Sequence, residues 1–337
     1  MESKTLSYKN RMPLLKEWAV AQVAILERQV ALADIASSWV MIAGDASFRR
    51  YFRLTADKHS YIVMDAPPEH EDAATFVAVA HKIRAANLRV PSIYAQDLEA
   101  GFLLIEDFGD CMLKQHLSNT PGQSLFEQIL PLLEGMSRVS TQGLPVLDGV
   151  SLRSELDLFT DWFLQRHCRH TLAVDERVLW DSLCDLLVEV ASSQPQCFVH
   201  RDFHSCNLQV LNNGELGIID FQDAVLGPAS YDLASWLWDR YVSWSREEIE
   251  QWVEQARPSL APQLQSEQWL RYCDLMGLQR NLKIIGIFSR LYYRDEKSGY
   301  LELLPQFSGY VRDVMSRYAE LQPQRAQVIK WLELCPK

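Results

Sequence analysis

The segment Phe198-Val199-His200-Arg201-Asp202-Phe203-His204-Ser205-Cys206-Asn207 sets a carboxylate and a carboxamide behind a His-Arg pair. Thirteen residues past Asn207 a second carboxylate stands in Ile219-Asp220-Phe221. These are the residue types that phosphoryl transfer requires. A hydroxyl must be held in line with a γ-phosphate, and its proton needs an acceptor or an orienting group. Asp202 fits that role. Asn207 offers a neutral oxygen and Asp220 a carboxylate, both hard donors suited to Mg²⁺. Any one of these tripeptides occurs commonly as a turn or a cap. The whole pattern, H-R-D-x-x-x-x-N followed by the later Asp-Phe, is what carries the expectation.

Such residues must be positioned. Leu208-Gln209-Val210-Leu211 and Leu216-Gly217-Ile218-Ile219 flank Asn212-Asn213-Gly214, a strong hairpin signal. Its strands begin and end at one edge, which lets ligands distant in sequence approach each other. Upstream, helical spacing predicts a helix over about 12–36. Strands are expected at Trp39–Ala43, Arg50–Leu54, Tyr61–Met64, Ser92–Asp97 and Phe102–Ile105, with a helix over 71–87. After Phe108-Gly109 the pattern is helical apart from the hairpin region. The reading is α+β: a nucleotide-binding lobe over 1–106 with a small five-stranded antiparallel sheet, and a larger, mainly helical lobe over 107–337 with the catalytic loop, metal site and acceptor site. A ligand is expected in the cleft between them.

Composition narrows the function. The chain has 337 residues and a formal charge of −11, which argues against general nucleic-acid binding because that rests on surplus Lys and Arg. The seven cysteines are scattered without a CxxC pair, as expected for reduced thiols in a cytosol. Met1–Leu15 lacks the apolar core of a signal peptide, and no stretch reads as a membrane span. A cytoplasmic protein is expected, with no membrane, nucleic-acid or protein partner. His200, His204 and Cys206 lack a plausible fourth ligand, so no transition metal is assigned.

The chain resembles the aminoglycoside-phosphotransferase and choline-kinase group, whose fold is similar to that of protein kinases. Within it the likeness is to bacterial anomeric sugar kinases acting on N-acetylmuramate and N-acetylglucosamine in cell-wall recycling. It rests on Gly44-Asp45-Ala46-Ser47-Phe48-Arg49-Arg50-Tyr51, Val63-Met64-Asp65-Ala66-Pro67-Pro68 and Glu106-Asp107-Phe108-Gly109-Asp110. The catalytic loop, Ile219-Asp220-Phe221-Gln222-Asp223, Tyr231-Asp232-Leu233-Ala234 and Leu282-Lys283 to Leu304 complete it. The resemblance implies a protein-kinase-like two-lobed fold, ATP and Mg²⁺, and a small sugar as acceptor. Separately, only nine residues lie between Phe221 and Tyr231, too few for an activation segment that holds a peptide. Asp232 is then expected to brace the catalytic loop, or simply to cap its own helix.

The pattern also departs from the family. There is no GxG and no Walker A sequence. Asp45, Ser47 and backbone N–H groups are left to meet the phosphates. By alternation Asp65 shares a face with Val63 and takes the place where a strand lysine is expected. One of Arg49, Arg50 and Arg53, held by Asp65, is expected to assume the phosphate role; a solvated basic strand is the alternative. The backbone over Glu106–Phe108 is the expected adenine hinge. Arg280, Lys283, Arg290 and Arg294 fall at helical spacing and are read as a basic stripe, either for an anionic acceptor or merely exposed. Asp223 is a candidate for the acceptor or a second metal, or a solvated loop carboxylate. Trp236 and Trp238 are read as core, with a sugar-stacking face as the alternative. Two rival readings stand: a kinase for an aminoglycoside, choline-like alcohol or related metabolite, and a non-catalytic binding protein of kinase shape.

Overall fold

From Arg50 to Ala56 every second residue is buried, the period-two mark of a strand with one covered face. The computed structural model describes residues 8–27, 39–43 and 48–335. It divides the chain into two compact units, Met1–Cys111 with Gln209–Gln222, and Met112–Leu208 with Asp223–Lys337.

In the first unit, helix α1 (Tyr8–Leu26) precedes strands β1 (Val40–Ala43), β2 (Arg50–Ala56) and β3 (His59–Asp65), helix α2 (Ala73–Ala85), and strands β4 (Ile93–Asp97) and β5 (Phe102–Glu106). The strands form one antiparallel sheet in the order β1-β2-β3-β5-β4. Register sets Phe52 opposite Val63 and Val63 opposite Leu104, so β2, β3 and β5 offer one apolar face. Leu15, Ala19 and Val23 of α1, four residues apart, pack on it. The helix expected to reach residue 36 instead ends at Leu26, and residues 28–36 lie outside those described. Glu27 departs from the helix and bonds the Tyr61 hydroxyl at 2.5 Å and His59 Nδ1 at 2.6 Å, tying the helix end to β3.

The segment 209–222 returns to this unit. Strands β7 (Leu208–Val210) and β8 (Leu216–Ile218) form the hairpin, with Gly214 at φ +82 in its turn, a conformation open to glycine at little cost. Val210 N–H donates to the Cys111 carbonyl and Ile218 N–H to the Arg89 carbonyl, both at 2.8 Å. A Cβ on Gly217 would lie 2.4 Å from the Phe108 ring, so only glycine allows that ring to close over β8.

In the second unit the helices are α3 (Gly122–Ser137), α4 (Gly149–Leu158), α5 (Val174–Ser193), α6 (Tyr231–Leu237), α7 (Arg246–Leu260), α8 (Ser266–Asp295), α9 (Leu304–Arg317) and α10 (Gln322–Glu333). Strands β6 (Gln196–Val199) and β9 (Val225–Pro228) pair antiparallel, and the catalytic loop leaves the end of β6. α4 runs directly into a π-helix, Phe159–His167. Gly286 of α8 lies against that junction, where a Cβ would come within 2.3 Å of the Leu158 backbone. α8 is thereby pressed onto α4, and side chains of both helices reach the loop.

Candidate active site

The loop is held by its backbone. Asp232, in the first turn of α6, accepts the His200 N–H at 2.6 Å and the Arg201 N–H at 3.1 Å. Arg201 has φ +75, a strained conformation for a side chain with a Cβ, and Asp232 is the group that fixes it. The Asp202 carbonyl accepts from the His204 N–H at 3.0 Å and from Asn207 Nδ2 at 2.9 Å, closing a tight turn between the two predicted residues. Asp239 takes the Ser205 N–H at 2.9 Å. Bracing by Asp232 was expected; Asp239 had no signal, because nothing in a sequence marks an acid that accepts a backbone amide from another element.

Side-chain charge is arranged around this turn. Glu155 of α4 accepts from Arg201 Nη2 at 2.5 Å, Lys283 Nζ at 2.7 Å and Gln279 Nε2 at 3.1 Å, while Lys283 also donates to the Tyr231 hydroxyl at 3.0 Å. Burial acts to raise Glu155, but Lys283 and Arg201 overcome it and hold the carboxyl below its ordinary range. For Asp202, too, crowding by protein acts to raise the carboxyl. Lys283 leads the surrounding charges, with His204, His200 and Arg280, and the balance holds Asp202 below the ordinary carboxylate range. It is therefore an ionised acceptor at neutral pH. Burial pushes His204 down, against the attraction of Asp239 and Asp202. Asp232 is pushed up to about 6 by burial, against the attraction of His200 and the two amides.

Asp202 opens onto a pocket of about 160 Å³. Its polar wall carries Arg240, Arg280 and Lys283 together with Asp239, and its apolar wall includes Trp238, Ile287, Phe288 and Phe307. Trp236 is core as read. Trp238 is nearly as buried, yet it also forms pocket wall and packs on Gly277, where a Cβ would lie 2.4 Å from the indole. The basic stripe is corrected by this arrangement. Arg280 and Lys283 line the pocket, whereas Arg294 is over half exposed and pairs with its neighbour Asp295 at 2.8 Å. At 100° per residue the four positions share an arc of about 80°, so what separates them is place along the axis: Arg280 lies mid-helix, and Arg294 lies one residue from the end of α8, about 21 Å away.

In the first unit, Asp220 is exposed, adopts φ +61 and accepts from Gln222 Nε2 at 2.9 Å. Asp223, in the second unit, is exposed. Ser47 lies outside the described residues. Asp65 is fully buried and accepts from Arg11 Nη2 at 2.6 Å and from Arg50 Nε at 3.1 Å, so its charge is neutralised beneath α1. Arg50 is held by Asp65 as expected; Arg11 went unrecognised. Arg49 pairs with Glu71 at 2.6 Å, and Arg53 pairs with Asp107 at 2.6 Å and Asp110 at 2.8 Å. The alternative of a solvated basic strand is thus replaced by three ion-paired arginines. Glu106 acts through its side chain, which accepts from Arg89 Nη1 at 2.9 Å and Ser92 Oγ at 2.8 Å. Its amide is donated to the Ser92 carbonyl at 2.8 Å, so of the expected hinge only Asp107 and Phe108 keep amides for a base edge. The Phe108 ring lies under the Arg89 guanidinium, 4.8 Å away.

A model of the phosphotransferase enzyme family matches residues 38–270. A protein of Pseudomonas aeruginosa named N-acetylmuramate/N-acetylglucosamine kinase is 42% identical over 88% of this chain and 88% of its own length. One of the same name from Pseudomonas putida is 37% identical over 90% of this chain and 92% of its own. The chain belongs to the phosphotransferase enzyme family. The fold of this phosphotransferase is also that of a Plasmodium vivax ethanolamine kinase, with a TM-score of 0.62 at 12% identity over 92% of this chain and 95% of the other. The protein-kinase-like α+β expectation therefore holds. Among the described residues, no helix is long and apolar enough to cross a membrane, and all seven cysteines are free thiols.

Proposed function

We propose that this phosphotransferase moves the γ-phosphate of ATP to the anomeric hydroxyl of N-acetylmuramate or N-acetylglucosamine in the cytosol. The observation that carries the reading is the Asp202 turn, braced by Asp232 and opening onto a pocket with three cationic side chains and an apolar wall. The relatives' shared name supports the same acceptors.

Asp202 orients the acceptor hydroxyl and takes its proton as the phosphoryl group transfers. Its ionised state is secured by Lys283 and the other nearby cations, so no proton has to be removed from it first. Strained backbone at Arg201 sets the angle at which the next residue meets the acceptor. Asn207 donates its Nδ2 to the Asp202 carbonyl, and its amide oxygen has the hardness Mg²⁺ prefers; Asp220 supplies a carboxylate of the same character. When bound, Mg²⁺ neutralises charge developing on the transferred group. Arg50 is committed to the buried Asp65, so a nucleotide phosphate draws on Arg49 or Arg53 by exchange with Glu71, or with Asp107 and Asp110, with Ser47 and the amides near Phe108 as further contacts.

A cationic acceptor such as an aminoglycoside or choline fits less well, because Arg240, Arg280 and Lys283 would repel it. A purely binding protein has no need of an ionised Asp202 held in a strained, braced turn. The test is ADP release with ATP and Mg²⁺ against N-acetylmuramate, N-acetylglucosamine, kanamycin, choline and no acceptor, with phosphorus NMR of the product. Turnover confined to the amino sugars with an anomeric phosphate is expected. Turnover on kanamycin or choline alone would overturn the sugar assignment and keep the phosphotransferase.

A further inference from the structure

Arg280 is a buried cation with unfilled hydrogen-bond donors. It sits mid-way along α8, only 5% exposed, with its guanidinium 5.3 Å from the centre of the Tyr231 ring. It lines the pocket at Asp202. Its Nε and Nη1 are buried and, among the described residues, have no hydrogen-bond partner. A buried donor left unpaired costs roughly 1–3 kcal/mol, and more when it carries charge.

Its neighbours are otherwise engaged. Lys283, one turn on, is satisfied by Glu155 and Tyr231. Glu155 in turn receives Lys283, Arg201 and Gln279. Asp239 accepts the backbone N–H groups of Ser205 and Tyr241. Asp202 is the carboxylate needed by the acceptor hydroxyl. The pocket wall thus holds three cations against two carboxylates, and both carboxylates have other work. Arg240 adds a second buried, unpartnered Nε on the same wall.

Building on the sugar-kinase reading above, we propose that Arg280 anchors a carboxylate on the acceptor, so that the pocket selects the acidic amino sugar over its neutral counterpart. A guanidinium meets a carboxylate with paired, charge-assisted hydrogen bonds that a neutral hydroxyl cannot match. Ile287 and Phe288 offer apolar surface to the methyl groups that accompany the acid and the N-acetyl substituent. Were Arg280 present only to balance Asp202 through space, it would favour every acceptor alike. That difference separates the two roles.

The experiment compares N-acetylmuramate with its carboxamide, which keeps the ring and the bulk and loses the charge, using the full chain with ATP and Mg²⁺. The carboxamide is expected to show a kcat/KM lower by about 10–100-fold, carried mostly by KM, as befits one charge-assisted interaction. Arg280→Gln is expected to bring the acid-to-amide ratio toward one, and Arg280→Lys to restore part of it. Equal turnover of acid and amide by the parent enzyme overturns the proposal without any variant. So does an Arg280→Gln enzyme that slows both substrates and leaves their ratio unchanged. A parent enzyme inactive on every amino sugar refutes the sugar reading itself, and the anchor falls with it.

Discussion

Replacing Asp232 with asparagine tests whether the loop is held by one buried carboxylate. The oxygens of Asp232 accept the His200 and Arg201 amides at 2.6 and 3.1 Å. Asparagine keeps one acceptor oxygen and turns an NH₂ toward the other amide, so one bond is lost, at about 1–3 kcal/mol. Against that loss stands a relief. Burial holds the Asp232 carboxyl at about 6 instead of its ordinary 3.8, which destabilises the folded state by about 3 kcal/mol at pH 7. The two nearly cancel, and Asp232→Asn should melt within a few degrees of the parent at pH 7. Activity should not survive so well. Once Arg201 is free to leave φ +75, Asp202 shifts, and misplacement of order 1 Å costs roughly 10²-fold in kcat. The pH dependence gives the sharper signature. A carboxyl with a raised folded pKa contributes stability that is present below about pH 4 and lost as pH rises to about 6. Calorimetry from pH 4.5 to 7.5 should therefore show the parent gaining stability on acidification relative to Asp232→Asn. The parent's kcat should fall below about pH 6, where the protonated carboxyl resembles asparagine, and the variant should lack that limb. Retention of kcat within about threefold, or parallel melting curves, would refute the reasoning.

Asp202→Ala should lower kcat by roughly 10²–10⁴ with little change in melting temperature, measured by ADP release and calorimetry; near-normal turnover would remove Asp202 from its role. Arg11→Ala should cost about 1–3 kcal/mol in urea unfolding. It strips Asp65 of one of its two cations but leaves Arg50 in place, so the loss should stay below the ~3–5 kcal/mol of a fully broken buried pair. A loss under about 0.5 kcal/mol would show that the cluster contributes nothing to stability.

Sequence legibility tracked the range of the forces involved. The strands from Arg50 to Glu106 and the hairpin around Asn213-Gly214 could be read because alternation and turn chemistry are local. The pairing of Asp202 with Asn207 could be read because both stand in one short motif, whose hydrogen bonds close within a few residues. What remained hidden depends on tertiary approach. Arg11 meets Asp65 only because α1 lies across the sheet, and Glu155 joins Lys283 only because Gly286 lets α8 press onto the end of α4. The same limit misled the reading of the arginine series. Spacing alone could not show that Arg280 is buried at a pocket while Arg294 faces solvent. Nor could it show that Glu106 gives its amide to Ser92 and so withdraws it from a base.

The return of residues 209–222 to the first unit has a consequence for biosynthesis. The ribosome releases the chain from its amino end, yet the Arg89 carbonyl, the Phe108 ring and Phe76 wait for Ile218, Gly217 and Phe221. The amino-terminal unit therefore emerges with Phe76 and Phe108 uncovered and stays so while α3, α4 and α5 are synthesised. Such nascent intermediates are natural clients for chaperones. A fragment ending near residue 111 should inherit the same exposed aromatic surface permanently, so the usual strategy of expressing this unit alone would produce a sticky, incompletely packed fragment.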